Sequence, residues 1–183
     1  MTVPTIRPAT AEDADGLRRI YAAVVADTAI SFEESPPDAD EMRRRMATEP
    51  RLPWLVADRG DQVAGYAYAA LHRQRPAYRW SAECSVYVDA AHRSQGVGRL
   101  LYERLIEEVR GLGYVSLFAG IALPNPSSVA LHEAVGFRSI GIFPDVGYKH
   151  GRWHDVGWWR KTLVDPPVRP AEPRTWKPEA RER

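Results

Sequence analysis

The sequence predicts a mixed α/β sheet, mostly antiparallel, covered by helices on both faces. Helical and strand patterns alternate through the centre of the chain, and hairpins lie on either side of that alternation. The composition supplies the core, with 44% hydrophobic and 27% charged residues over 183 positions.

The elements follow in order. Thr10 is placed to cap a helix, with Asp13 as an acidic partner three residues on. Leu17, Ile20, Tyr21, Val24 and Val25 then recur at helical spacing. A polar helix is expected from Asp38 to Met46 and a short apolar strand from Leu52 to Ala57. Asp58-Arg59-Gly60-Asp61 reads as a hairpin turn, with the returning strand from Gln62 to Ala70. A further strand runs from Ala82 to Val88. Val97, Leu100, Leu101, Leu105, Val109 and Leu112 form one stripe of the clearest helix, and Gly113 stands where a left-handed cap belongs. Val115 to Leu123 reads as a buried strand, and Ser127 to Val135 as a helix stopped by Gly136. Two last strands are expected from about Phe137 to Val146 and from Trp153 to Leu163.

Residues 1–164 are therefore expected to form one domain, and residues 165–183 a tail. That last stretch is rich in proline and charge and nearly free of aliphatic side chains, so it is expected to lie outside the core. Trp176 leaves a docking role open there. The 25 basic and 24 acidic side chains give a net charge of +1, which provides no global field for nucleic acid or anionic membrane. No apolar run is long enough to span a bilayer, and the first residues lack a signal-peptide pattern. The single cysteine, Cys84, allows no internal disulfide, so a cytoplasmic location is expected.

The sharpest local signal is Arg93-Ser94-Gln95-Gly96-Val97-Gly98, set between a strand and an amphipathic helix. Unpaired N–H groups and a partial positive charge collect at a helix N-terminus, and glycines let a phosphate approach them closely. The pattern is neither GxGxxG nor GxxxxGK[ST], which disfavours a dinucleotide fold and a P-loop. By itself the hexapeptide is equally consistent with a glycine-rich turn that holds nothing.

Strand, R-x-x-G-x-G loop and helix, followed by Asn125 and by Leu131-His132-Glu133-Ala134-Val135-Gly136-Phe137, resemble the GNAT superfamily of acyl-CoA-dependent N-acetyltransferases. Further stretches narrow the match. Pro53-Trp54-Leu55-Val56-Ala57, Ala77-Tyr78-Arg79-Trp80-Ser81-Ala82-Glu83, Ser85-Val86-Tyr87-Val88 and the run from Lys149 to Gly157 are similar to the phosphinothricin N-acetyltransferase group and its relatives that acetylate methionine sulfoximine. The resemblance covers about residues 4 to 164. It implies acetyl-CoA as co-substrate, with its pyrophosphate on Arg93, Ser94, Gln95, Gly96, Val97, Gly98 and Arg99. It further implies that the pantetheine arm pairs with the backbone of Val86, Tyr87 and Val88, and that Asn125 hydrogen-bonds the coenzyme. The catalytic base of the group matches Glu83. Many superfamily members place a tyrosine acid where this chain has His132, so His132 is carried over as the candidate acid.

Acetyl transfer to an amine must deprotonate an ammonium, polarise a thioester carbonyl and stabilise a leaving thiolate. Strand alternation puts Glu83, Ser85 and Tyr87 on one face, and burial there would raise a carboxyl pKa towards that of a useful base. The sequence alone leaves Glu83 open between a base and a partner for a nearby arginine. A main-chain N–H, such as that of Val86, is the candidate for the carbonyl oxygen if the strand splays after Ser85. Tyr87 is a second candidate acid beside His132. Cys84 falls on the opposite face, which favours packing over a covalent acetyl-cysteine route.

A small amino acid with an acidic or strongly polar tail needs cationic forks. Leu71-His72-Arg73-Gln74-Arg75-Pro76-Ala77-Tyr78-Arg79-Trp80 offers three arginines directly before the base. The resemblance implies substrate contacts from Phe32, Arg73, Gln74, Arg75, Glu83, Cys84 and Ser85. Lys149 and Trp153 are expected to close the pocket, with a partner subunit as one source, and a homodimer is implied. His150, His154 and Asp155 lack a third histidine at ligand spacing and read as structural, so no metal is expected. Two alternatives stand beside the amino-acid reading. One keeps the fold and acetylates a peptide N-terminus, lysine or polyamine. The other is a non-catalytic acyl-CoA-binding module.

Overall fold

The computed structural model describes residues 3–60 and 62–178. Thr10 opens the first helix with a capping box: its backbone N–H donates to the Asp13 carboxylate at 2.7 Å. The chain then enters α1 (Ala14–Asp27), which buries Leu17, Ile20, Tyr21, Val24 and Val25. Helix α2 (Ala39–Met46) is capped by Asp38, which accepts from the Glu41 N–H. The long helix α3 (Val97–Gly111) and the short helix α4 (Pro126–Ala134) end before Gly113 and Gly136, at φ +94° and +90°. These are the left-handed positions that only glycine adopts without strain.

Seven strands form one sheet among the described residues: β1 (Thr5–Pro8), β2 (Trp54–Asp58), β3 (Val63–Leu71), β4 (Ser81–Val88), β5 (Ser116–Ala122), β6 (Arg138–Lys149) and β7 (Arg152–Thr162). Their order is β1-β2-β3-β4-β5-β7-β6. Strand β1 was not expected. It is four residues long, lies at the sheet edge and ends in Pro8, a place where a residue without an N–H is tolerated. The remaining strands lie close to their expected positions. Asp61, at the end of the expected β2–β3 turn, lies outside the described residues, as do residues 179–183 of the tail.

Every neighbouring pair is antiparallel except β4–β5. That parallel contact joins only Ser81, Ala82 and Glu83 to Ser116, Leu117 and Phe118. Beyond it β4 stays paired to β3 as far as Val88, and β5 to β7 as far as Ala122, but the two no longer pair with each other. The sheet is thus two antiparallel halves joined by a short seam and open as a V beyond it.

Each face carries its own core. Helices α1 and α2 pack on Trp54, Val56 and Tyr66. Helix α3 packs Leu101, Tyr102, Leu105 and Val109 on Ala67, Ala82, Cys84 and Leu117. Residues 163–178 have no regular secondary structure, but their expected place outside the core is corrected at Trp176. That indole is 4% exposed and belongs to the α3-side core. Its Nε1–H donates to Glu108 and its backbone N–H to the Arg51 carbonyl. Upstream, Glu172 pairs with Arg79, and the Ala171 carbonyl accepts from the Trp80 indole. One large aromatic ring brings enough apolar surface to dock a strap that periodicity alone describes as loose.

Candidate active site

The loop before α3 has the build expected of an anion cradle. Ser94 and Gly96 adopt φ +57° and +80°, which turns the chain sharply into the helix. A Cβ on Gly96 would meet nothing within 4 Å, so it is the left-handed backbone and not crowding that calls for glycine there. Gly98 differs: a Cβ there would come 3.0 Å from the Leu131 side chain of α4. Between the two helices lies a groove of about 400 Å³, lined by Val86–Val88, Arg93, Ser94, Gly96–Arg99, Asn125 and Leu131. Asn125 caps α4, its Oδ1 accepting from the Ser128 N–H at 3.2 Å. Gln95 turns away instead, donating to the Ala91 carbonyl and accepting from Arg59. The Arg99 side chain pairs with Glu103 on the surface of α3.

The groove continues into the open V. A narrower cleft there is lined by Ser85, Val86, Tyr87, Gly120, Ile121, Ala122, Tyr102 and His132. Two strand edges that face a gap without pairing offer hydrogen-bonding groups to an extended arm laid between them. A left-handed glycine at a helix start, free N-terminal amides and a strand-shaped slot fit a coenzyme with a pyrophosphate and a long amide-bearing arm.

Glu83 lies at the seam, on the face of α1 and α2. Its Oε1 is 2.8 Å from His72 Nδ1 and accepts from Arg73 at 2.8 Å. The expectation of burial is not met, since the side chain is 32% exposed. Glu83 is thus paired with an arginine, as one of its two readings has it, and its carboxylate is partly exposed. His72 stacks on Phe118 with ring centroids 4.4 Å apart, and the Arg73 guanidinium lies 5.7 Å over Trp158.

The other expected substrate residues divide. Arg73 joins Glu83, and Ser85 lies on the same face, opposite Tyr68 across β3–β4. Gln74 and Arg75 are exposed on the loop. Phe32 packs where a Cβ on Gly147 would come within 2.2 Å of its ring, and it lies 6.0 Å from His154. Cys84 departs from the expectation: its thiol is buried on the α3 face beside Tyr102 and the Phe118 carbonyl. Burial pushes that thiol up to about 12, which keeps it protonated and inert. Lys149 is buried within its own chain, donating to the Val25 and Ser31 carbonyls at 2.6 and 2.7 Å. It thereby ties the β6–β7 hairpin to the segment that carries Ile30 and Phe32, so no partner is required to place it.

The sequence reading did not anticipate Tyr102. This fully buried tyrosine of α3 lines the V, and its hydroxyl is 2.8 Å from His132 Nε2. His132 Nδ1 lies 2.7 Å from the Ser128 carbonyl, which can only accept, so Nδ1 carries the proton and Nε2 accepts from Tyr102. Burial lowers the His132 pKa more than the Ser128 carbonyl raises it, holding the ring neutral. Burial likewise raises that of Tyr102 well above its ordinary value. His132 therefore has no proton to offer at Nε2, and the hydroxyl it orients belongs to Tyr102. A buried tyrosine needs a polar partner, which is the signal that could have found it. Tyr87, the other candidate acid, sits with its ring 4.9 Å from Tyr21 and 5.3 Å from Tyr66.

Residues 6–158 match the acetyltransferase (GNAT) domain family. The chain belongs to the GNAT acetyltransferases. Over 172 residues it is 40% identical to the phosphinothricin N-acetyltransferase of Streptomyces viridochromogenes, covering 93% of this chain and 94% of that protein. It is 36% identical over 154 residues to the L-methionine sulfoximine/L-methionine sulfone acetyltransferase of Salmonella typhimurium, covering 83% and 90%. A GNAT phosphinothricin acetyltransferase from Sinorhizobium meliloti, solved in complex with acetyl-CoA, superposes with a TM-score of 0.88 at 36% identity, over 93% of this chain and 95% of that one. The V and the glycine cradle are thus features of a GNAT acyltransferase fold. Among the described residues no helix is long and apolar enough to cross a membrane, and no three His, Cys, Asp or Glu side chains gather as for a metal.

Proposed function

We propose that this GNAT acyltransferase moves the acetyl group of acetyl-CoA to the α-amino group of a small amino acid with an acidic or strongly polar tail, such as phosphinothricin or methionine sulfoximine. One observation carries the reading: Glu83, partly open and joined to Arg73, is the last seam residue of β4, directly before Cys84 and Ser85, which line the cleft. When bound, acetyl-CoA supplies an electrophilic thioester carbonyl. Glu83 takes the proton from the substrate ammonium, and Arg73 holds a substrate carboxylate or phosphinate in its planar fork. A main-chain N–H of Val86, at the unpaired edge of β4, is the donor for the carbonyl oxygen. Tyr102, oriented by His132, is the hydroxyl on the thiol side of the cleft.

The test is acetyl-CoA-dependent thiol release with phosphinothricin and methionine sulfoximine, set against a panel of peptides, lysine and polyamines. We expect kcat/KM for the two amino acids to exceed the others by at least about tenfold. A preference for a cationic acceptor would overturn the assignment. In a cytoplasmic setting such an activity would confer resistance to phosphinothricin.

A homodimer completes the proposal. Ile140, Ile142, Phe143, Val146 and Tyr148 of edge strand β6, with Trp153 of β7, are each half or more exposed, an apolar edge hairpin suited to a second copy. Light scattering at micromolar concentration is expected to give twice the mass of 20.6 kDa; a single-chain mass would remove this element.

A further inference from the structure

His72 is the residue of the arginine loop to which the proposed chemistry gives no task, yet it is the most firmly held. Its side chain is 14% exposed, against 47% for Arg73. Its ring lies nearly flat on Phe118, with a 17° interplanar angle, and meets the rings of Trp158 and Tyr78 edge-on at 6.2 and 5.9 Å. The 2.8 Å contact to Glu83 uses Nδ1. A carboxylate oxygen accepts, so His72 is the donor and carries its proton on Nδ1. Arg73 donates to the same oxygen, Oε1, and no described residue hydrogen-bonds Oε2.

The two donors differ in what they are free to do. Arg73 is nearly half exposed and carried on a long arm, so a substrate carboxylate can draw it away. His72 is packed against three rings and cannot follow. A base that lost both donors on substrate arrival would also lose its orientation, and reaction rates are sensitive to such small misplacements.

We propose that His72 is a positioning residue for the base. It fixes Oε1 of Glu83 while Arg73 engages the substrate, and so leaves Oε2 as the atom that accepts the proton. This rests on the reading of Glu83 as base.

The experiment separates ring from hydrogen bond. His72→Phe keeps a stacked ring without the donor. His72→Asn keeps an N–H close to the place of Nδ1 without the ring. We expect H72F to lower kcat about tenfold with KM for acetyl-CoA unchanged, and H72N to lie within about threefold of the parent. Parent-like turnover in H72F would overturn the proposal, as would equal losses in both variants, which would mean packing alone. If phenylalanine disturbs folding, as melting curves would show, His72→Ala replaces it in the comparison, since Ala removes both ring and donor. Glu83→Gln is assayed in parallel. Should E83Q remain active, the base assignment fails; should E83Q be inactive while H72F matches the parent, only the role of His72 fails.

Discussion

Glu83→Gln is expected to lower kcat by about a thousandfold while leaving KM for acetyl-CoA unchanged, as read by thiol release under saturating coenzyme. The substitution is nearly isosteric. The glutamine carbonyl can still accept from His72 Nδ1 and Arg73, the two donors that now hold Oε1 at 2.8 Å. What is lost is the ability to take a proton at neutral pH. The proposed coenzyme groove is lined by Val86–Val88, Arg93, Ser94, Gly96–Arg99 and Asn125, none of which holds the Glu83 side chain, so coenzyme affinity has no reason to move. A thousandfold loss corresponds to about 4 kcal/mol of transition-state stabilisation, within reach of one general base. Turnover within about threefold of the parent would reduce Glu83 to the ion-pair partner of Arg73.

Trp176→Ala is expected to destabilise the fold by about 3 kcal/mol, lowering the melting temperature by about 10 °C. The indole is 4% exposed and fills the α3-side core, and its Nε1–H satisfies Glu108. Truncation leaves a cavity, takes one donor from the Glu108 carboxylate, which keeps its pairing with Arg104, and releases the strap whose Ala171 and Glu172 hold Trp80 and Arg79. Because Arg79 and Trp80 end the arginine loop directly before β4, KM for the amino acid is expected to rise as well. Trp176→Phe should recover most of the stability by refilling the space. A melting temperature unchanged in W176A would show that the strap is not part of the core.

Much of the architecture was legible because it rests on periodicity and on glycine. The α3 stripe, the caps at Gly113 and Gly136 and the Arg93–Gly98 turn are local signals, and the structure places them where they were read. What stayed hidden was non-local. Strand β1 is recognisable only through its partner β2, being four residues long without clear alternation. Trp176 is a lone aromatic in a proline-rich run, and composition says nothing of the groove waiting for it beside Glu108. Tyr102 lies next to Leu101 and one turn from Leu105 and Ile106, so helix spacing marks it as core; that it faces His132 depends on how α3 and α4 pack. The pairing of His72 and Arg73 with Glu83 depends on how the segment after β3 folds back onto β4, a conformation no residue pattern specifies.

The three-residue seam between β4 and β5 leaves the sheet unfinished between its two halves. Edges at Ser85–Val88 and Gly120–Ala122 do not pair with each other, and we propose that an acyl carrier laid between them turns them into an interior ladder. On the proposed placement of acetyl-CoA, the reagent would double as the missing strand, and each catalytic cycle would take apart and rebuild a piece of secondary structure.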